Sequence, residues 1–175
     1  MAWALFCHDF DLSKGINILS EKCPVVLDHY NAVPDGYSAK VVEDIFKKGG
    51  NAVDAAVATA FTLAVTYPEA GNIGGGGFMT VYMNGKPYFI DYREVAPKAA
   101  TKDMYLDEKG EVIENMSVVG AKAAGVPGTV LGLWEAHKKF GKLKWAEVVQ
   151  PAIGYAENGF VVADTQARAI VISGV

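Results

Sequence analysis

The chain has 175 residues, 51% of them hydrophobic, and a formal net charge of −4. This length and hydrophobic content are typical of one globular domain and argue against disorder. The net charge is negative and the lysines are scattered, so we expect no nucleic-acid partner, because a phosphate backbone is bound by clustered positive charge.

The cysteines and histidines do not indicate a metal site. Cys7 and Cys23 lack CxxC spacing and stand apart from any histidine cluster. We expect two unpaired thiols, with a disulfide between them as the alternative. We also expect no metal and no cofactor.

Two apolar stretches raise the question of export or membrane insertion. Residues 1–10 are short and have no lysine or arginine before them, so they make a poor secretory signal. Residues 52–65 are too short for a membrane span and include Asp54. We therefore predict no membrane-spanning segment.

The pattern of residues 38–48 predicts an amphipathic helix. Val41, Val42 and Ile45 recur at helical spacing. Ser38 is placed to cap this helix, and the glycine pair at residues 49–50 is placed to end it in a left-handed conformation.

Residues 51–66 predict a second helix of a different kind. Asn51 is placed to cap it, and Asp54 lies in the first turn, where the helix dipole favours a carboxylate. The body of the helix is apolar on every side, so we predict that it is buried among several neighbours.

Four consecutive glycines at residues 74–77 form a loop between this helix and a predicted hairpin. We interpret the loop as a tight turn where backbones approach closely. A phosphate-binding loop is the alternative, but no lysine follows at the required spacing. Strands at 78–83 and 88–92 are joined by Asn84 and Gly85, which favour a type I′ turn.

Only two of the 16 basic residues are arginines, Arg93 and Arg168. Arg93 follows the second strand, and a guanidinium offers a rigid pair of donors for a carboxylate that lysine does not match. Asp91 and Glu94 are nearby, so a structural salt bridge is the alternative role. The residues alone leave both roles open.

The last third of the chain predicts two more helices. Residues 98–114 are polar and predict a surface segment. One helix begins near Thr129 and ends at Gly141, and we expect its His137 to be a solvated helix-end residue rather than a catalytic base. Another runs from residue 144 to 158, interrupted by Pro151.

These residues predict an α/β or α+β domain, but they do not identify a reaction. The sequence contains no GxSxG nucleophile elbow, no cysteine–histidine pair in a supporting context and no paired metal-ligand motif.

Several long motifs nevertheless resemble the large subunit of γ-glutamyltranspeptidases. They are residues 48–58, the glycine loop into Phe78-Met79, residues 92–97, residues 125–129 and residues 148–160. The resemblance covers residues 34–162 in the order of the family. Residues 1–33 and 163–175 match poorly.

The resemblance implies an N-terminal nucleophile hydrolase fold, an α+β class with an αββα sandwich that is only partly present here. It implies transfer of a γ-glutamyl group from glutathione or a related donor to water, an amino acid or a peptide. In such enzymes a precursor cleaves itself, and a threonine at the start of the small subunit attacks the donor. Arg93 stands at the family position that binds the α-carboxylate of the donor.

The threonines of this chain are all internal, so we expect the nucleophile to come from a small subunit that the chain does not contain. We therefore expect a large-subunit fragment that is inactive alone. Relatives are expected to be periplasmic or secreted. The alternatives are a non-catalytic binding or structural module, a cephalosporin acylase, or a capsule-processing relative.

Overall fold

A computed structural model describes residues 33–163 and 166–168. The expectations for Cys7, Cys23 and residues 1–10 lie outside these residues. The regular elements are α1 (Gly36–Lys47), α2 (Ala52–Thr66), β1 (Phe78–Met83), β2 (Lys86–Asp91), α3 (Thr129–Phe140) and α4 (Trp145–Asn158).

Helix α2 is the centre of the described fold. It packs against α1, α3 and α4, and none of its fifteen residues is exposed. This burial confirms the prediction made from its uniformly apolar sequence. The core around it contains the following buried residues: Val41, Val42, Ile45, Val53, Ala55, Val57, Ala58, Val81, Leu133, Ala136 and Val148.

Asp35, and not Ser38, caps α1. The Asp35 carboxylate accepts a hydrogen bond from the Ser38 amide at 2.6 Å and another from the Ser38 hydroxyl at 2.7 Å. The cap prediction at Ser38 was therefore wrong by one turn, because Asp35, three residues earlier, has the extended backbone that a cap requires. Gly49 ends the helix with φ of +82°, as predicted.

Asn51 caps α2 as predicted. Its side-chain oxygen accepts from the amides of Val53 and Asp54, and the Asp54 carboxylate accepts from the Asn51 amide at 2.8 Å. This reciprocal arrangement is a capping box. The Asn51 side-chain amide also donates to the Phe140 carbonyl at 2.6 Å, which ties α2 to the end of α3.

The two strands form an antiparallel hairpin in which Phe78 pairs with Asp91 and Met83 pairs with Lys86. Asn84 and Gly85 have φ of 53° and 74°, which confirms the predicted type I′ turn. One face of the hairpin packs on the helices through Val81, Met79, Met83, Tyr88 and Ile90. The other face exposes Phe78, Tyr82 and Phe89.

Helix α4 runs through Pro151 without a break. The predicted interruption was wrong, and packing explains why. Val148 and Ala152, on either side of the proline, are buried, and α4 makes extensive contact with α2. This burial holds the helix together although Pro151 has no amide to donate. Gly159 ends the helix with φ of +76°.

The described residues form a partial α+β fold, with the helices on one face of the hairpin. Within these residues, no helix is long and apolar enough to cross a membrane.

Candidate functional site

The glycine loop and residues 126–132 converge on the segment that contains Tyr92 and Arg93. Gly77 and Tyr92 exchange backbone hydrogen bonds at 3.0 and 3.3 Å, which extends the hairpin by one residue pair. Val95 and Val126 form a similar exchange at 3.2 and 2.8 Å. The backbone of Arg93 therefore lies between two fixed pairs.

Glycines permit this convergence by letting backbones touch. A Cβ on Gly76 would lie 2.5 Å from the Tyr92 carbonyl oxygen, and a Cβ on Gly128 would overlap the same oxygen. Contacts this close exclude any side chain at either position. The glycine run is thus a turn with close backbone approach, as predicted, although its first residue, Gly74, is exposed.

The glycine loop faces the start of α3 rather than a free anion site. The Gly75 carbonyl accepts from the Gly128 and Thr129 amides at 2.8 and 3.0 Å. These are amides of the kind that a phosphate would need. The alternative of a phosphate-binding loop therefore loses its donors at this place.

The Tyr92 ring fills the space beside two further glycines. A Cβ on Gly132 would overlap the Tyr92 ring and its Cβ, and a Cβ on Gly77 would lie 3.0 Å from the ring edge. Burial raises the pKa of the Tyr92 phenol above its ordinary value. Tyr92, which directly precedes Arg93, is therefore packed tightly between the hairpin and α3.

Arg93 itself is exposed, with 61% of its side chain accessible. Its Nε donates to the Glu94 carboxylate at 3.0 Å, and its guanidinium lies 5.7 Å from the centre of the Phe78 ring. Asp91 accepts from the Arg93 backbone amide at 3.0 Å. Within the described residues, the guanidinium forms its hydrogen bond through Nε alone, and its two terminal nitrogens have no hydrogen-bond partner there.

Glu94 orients the guanidinium of Arg93 but contributes little to stability. Its pKa lies below the ordinary value, chiefly because its own backbone amide donates to the carboxylate and then because Arg93 does. The ion pair is solvated, and such pairs contribute little to stability. The pair predicted as an alternative to ligand binding thus exists, yet it engages only one edge of the fork.

His137 was expected to be solvated, and this was wrong. It is only 8% exposed, and its Nε2 lies 3.3 Å from Oδ1 of the fully buried Asp54. The approach lies outside hydrogen-bond geometry. The neighbouring lysines suggested a solvated end, but the side chain of His137 points inward from α3 toward the start of α2. Sequence alone gave no signal for this pairing.

Asp54 also receives the backbone that joins α3 to α4. Its carboxylate accepts from the Lys142 amide at 3.0 and 3.1 Å, and more weakly from the Leu143 amide. Together with the Asn51 amide, these donors make Asp54 a structural junction rather than a reactive group.

An open groove of about 680 Å³ lies between α1 and α4. Lys47, Lys48, Gln150 and Tyr155 are among its lining residues, and none of the lining residues belongs to the segments around Arg93. The groove is therefore separate from the candidate site.

The gamma-glutamyltranspeptidase family matches residues 38–172. The chain belongs to the γ-glutamyltranspeptidase family. The glutathione hydrolase proenzyme of Pseudomonas aeruginosa is 80% identical over 135 residues, which are 77% of this chain and 24% of that protein. The chain thus spans about a quarter of the length of the curated relatives it matches.

Solved structures show the same relationship. The γ-glutamyltranspeptidase of Pseudomonas nitroreducens, complexed with L-DON, is 76% identical, with a TM-score of 0.75 over 81% of this chain and 43% of that chain. A cephalosporin acylase from Bacillus halodurans is 33% identical, with a TM-score of 0.64 over 75% of this chain and 24% of that chain. The fold is therefore that of the N-terminal nucleophile hydrolases, partly present in the described residues.

Proposed function

We propose that this chain is the N-terminal part of the large subunit of a γ-glutamyltransferase, or glutathione hydrolase, and that Arg93 binds the α-carboxylate of the γ-glutamyl donor. The observation that carries the proposal is that Arg93 has a fixed backbone and an exposed guanidinium. Its backbone is held by close glycine contacts, while its terminal guanidinium nitrogens have no hydrogen-bond partner among the described residues. A fixed base and a free fork suit bidentate binding of a carboxylate.

The reaction needs a nucleophile that we assign to a small subunit. In the proposed enzyme, a threonine at the start of that subunit attacks the γ-carbonyl, and the amide bond to the rest of the donor breaks, so that its amine leaves with a proton. Water or an amino acid then takes the γ-glutamyl group from the threonine oxygen, which is released as the free hydroxyl. The charge on Arg93 orients the donor so that this carbonyl meets the threonine. The 175 residues alone are proposed to be inactive.

The degree of identity favours a glutathione hydrolase over an acylase. The chain is 80% identical to a relative named glutathione hydrolase proenzyme, 48% identical to one named acylase ACY 1 proenzyme and 33% identical to the cephalosporin acylase. The Bacillus anthracis transpeptidase CapD is also much less similar, at 32% identity. A non-catalytic module has no specific observation in its favour.

A chimera tests the proposal. Residues 38–168 of this chain would replace the matching region of the Pseudomonas aeruginosa glutathione hydrolase proenzyme, and self-cleavage and glutathione hydrolysis would be measured. We expect a cleaved, active enzyme. An uncleaved or inactive chimera would contradict the proposed function.

The chain supplies a matched control for Arg93, because Arg168 is its only other arginine and is also exposed. Arg93→Ala is expected to raise the KM for glutathione by about 10- to 100-fold, the range for hydrogen bonds to charged groups. Arg168→Ala is expected to leave the KM within about twofold, as is usual for surface substitutions.

A further inference from the structure

We propose that Asn72 and Thr129 are positioning residues for Arg93, acting through the glycine loop. The proposal rests on the function proposed above for Arg93. Neither side chain contacts the guanidinium in the described structure. Both act on the backbone that carries it.

The side-chain oxygen of Asn72 accepts two hydrogen bonds. The Thr129 hydroxyl donates to Oδ1 of Asn72 at 2.8 Å, and the Gly75 amide donates to the same oxygen at 2.8 Å. Thr129 is only 6% exposed, so water is largely excluded from its hydroxyl. One side-chain oxygen therefore joins the glycine loop to the beginning of α3.

The second step fixes the other side of Gly75. Its carbonyl accepts from the Gly128 and Thr129 amides at 2.8 and 3.0 Å. Gly75 is thus held at both its amide and its carbonyl. The Thr129 hydroxyl shares the acceptor of the amide, and the Thr129 amide donates to the carbonyl. The loop has little freedom to move relative to α3.

The third step leads from the loop to Arg93. A Cβ on Gly76 would lie 2.9 Å from the Arg93 carbonyl carbon, and Gly77 pairs with Tyr92 through both backbone groups. A displacement of the loop therefore displaces the backbone of Tyr92 and Arg93 with it. Bidentate carboxylate binding depends on the direction of the guanidinium, so a small displacement weakens it.

The test measures discrimination for the α-carboxylate rather than activity alone. L-glutamate and 4-aminobutyrate would be compared as competitive inhibitors of the chimeric enzyme. They share the amine and the γ-carboxylate, but 4-aminobutyrate lacks the α-carboxylate. The ratio of their inhibition constants reports the contribution of that group.

Thr129→Val removes the hydroxyl and keeps the shape of the side chain. We expect it to reduce the ratio by about fivefold, the effect of one lost hydrogen bond. Thr129→Ser is expected to restore the ratio. The control is Thr62→Val, which removes a buried hydroxyl that donates to Ala58 within α2 and is expected to leave the ratio unchanged.

Substitutions of Asn72 give a second measurement that does not endanger the core, since this residue is exposed. Asn72→Asp keeps an acceptor for both donors and is expected to retain the ratio. Asn72→Ala is expected to reduce it as Thr129→Val does. Equal ratios for Asn72→Ala, Thr129→Val and the unsubstituted enzyme would overturn the positioning role.

The two proposals fail in different ways. If Arg93→Ala leaves the ratio unchanged, the carboxylate-binding role of Arg93 is wrong, and the positioning role falls with it. If Arg93→Ala reduces the ratio but Thr129→Val does not, only the positioning role is wrong. In the Arg93→Ala background, Thr129→Val is expected to have no further effect on the ratio.

Discussion

The imidazole of His137 lies 3.3 Å from the carboxylate of Asp54, which is completely buried at the first turn of α2. The same carboxylate accepts backbone hydrogen bonds from Asn51 and Lys142. One aspartate thus joins the start of α2, the end of α3 and the connection to α4.

This junction predicts a large effect of Asp54→Asn. The amide would place a donor against several backbone donors, so we expect the free energy of unfolding to fall by about 3 kcal/mol. The matched control is Asp44→Asn, because the carboxylate of Asp44 pairs, among the described residues, with the exposed Lys40 and Lys47. Its expected effect is below about 1 kcal/mol. Urea unfolding of the chimera would measure both, and equal effects would contradict the junction.

Two helical glycines predict opposite outcomes for the same substitution. Gly132→Ala would drive a methyl group into the Tyr92 ring, and we expect it to destabilise the protein by about 1–3 kcal/mol. Gly154→Ala meets nothing within 4 Å and is expected to stabilise α4 by up to about 1 kcal/mol. Thermal unfolding of the two chimeric variants would compare them, and a neutral Gly132→Ala would show that the ring is not wedged.

Tyr92 predicts a loss of stability at alkaline pH. Burial raises the pKa of its phenol above the ordinary value of 10.0, so the unfolded state ionises first as the pH rises. The stabilisation is therefore complete below pH 10 and is lost as the pH rises through the folded-state pKa. Tyr92→Phe should remove this part of the pH dependence. If the free energy of unfolding changes equally with pH in Tyr92→Phe and in the unsubstituted protein between pH 8 and 11, this prediction is contradicted.

The outer face of the hairpin predicts self-association of the isolated 175 residues. The rings of Phe78 and Phe89 stack at 5.6 Å and are 51% and 65% exposed. Exposed aromatic surface on a short sheet favours association. Size-exclusion chromatography should show oligomers or aggregates that Phe89→Thr reduces. A monodisperse monomer of the unsubstituted chain would contradict this.

Local sequence signals predicted most of the elements. Asn51 and Asp54 predicted the start of α2, and Asn84 with Gly85 predicted the hairpin turn. Both features depend on residues that are neighbours in sequence. The all-apolar sequence of α2 also predicted its burial, since no face of such a helix suits water.

Contacts between distant segments were not predictable in the same way. His137 is adjacent to two lysines in sequence, yet its ring faces Asp54 because α3 packs across the start of α2. The glycines at 76 and 128 signal close approach, but only the fold shows that both approach Tyr92. Pro151 illustrates the converse, because packing preserves a helix that the local rule would interrupt.

Binding of the donor α-carboxylate by Arg93 is tested most directly by the ratio of inhibition constants for 4-aminobutyrate and L-glutamate in the Arg93→Ala and Arg93→Lys chimeras. We expect Arg93→Ala to reduce this ratio by about 10- to 100-fold, because hydrogen bonds to a charged group are lost. Arg93→Lys is expected to recover only part of it, because an ammonium does not reproduce the fork. An unchanged ratio in Arg93→Ala would contradict the assignment of Arg93 as the carboxylate-binding residue.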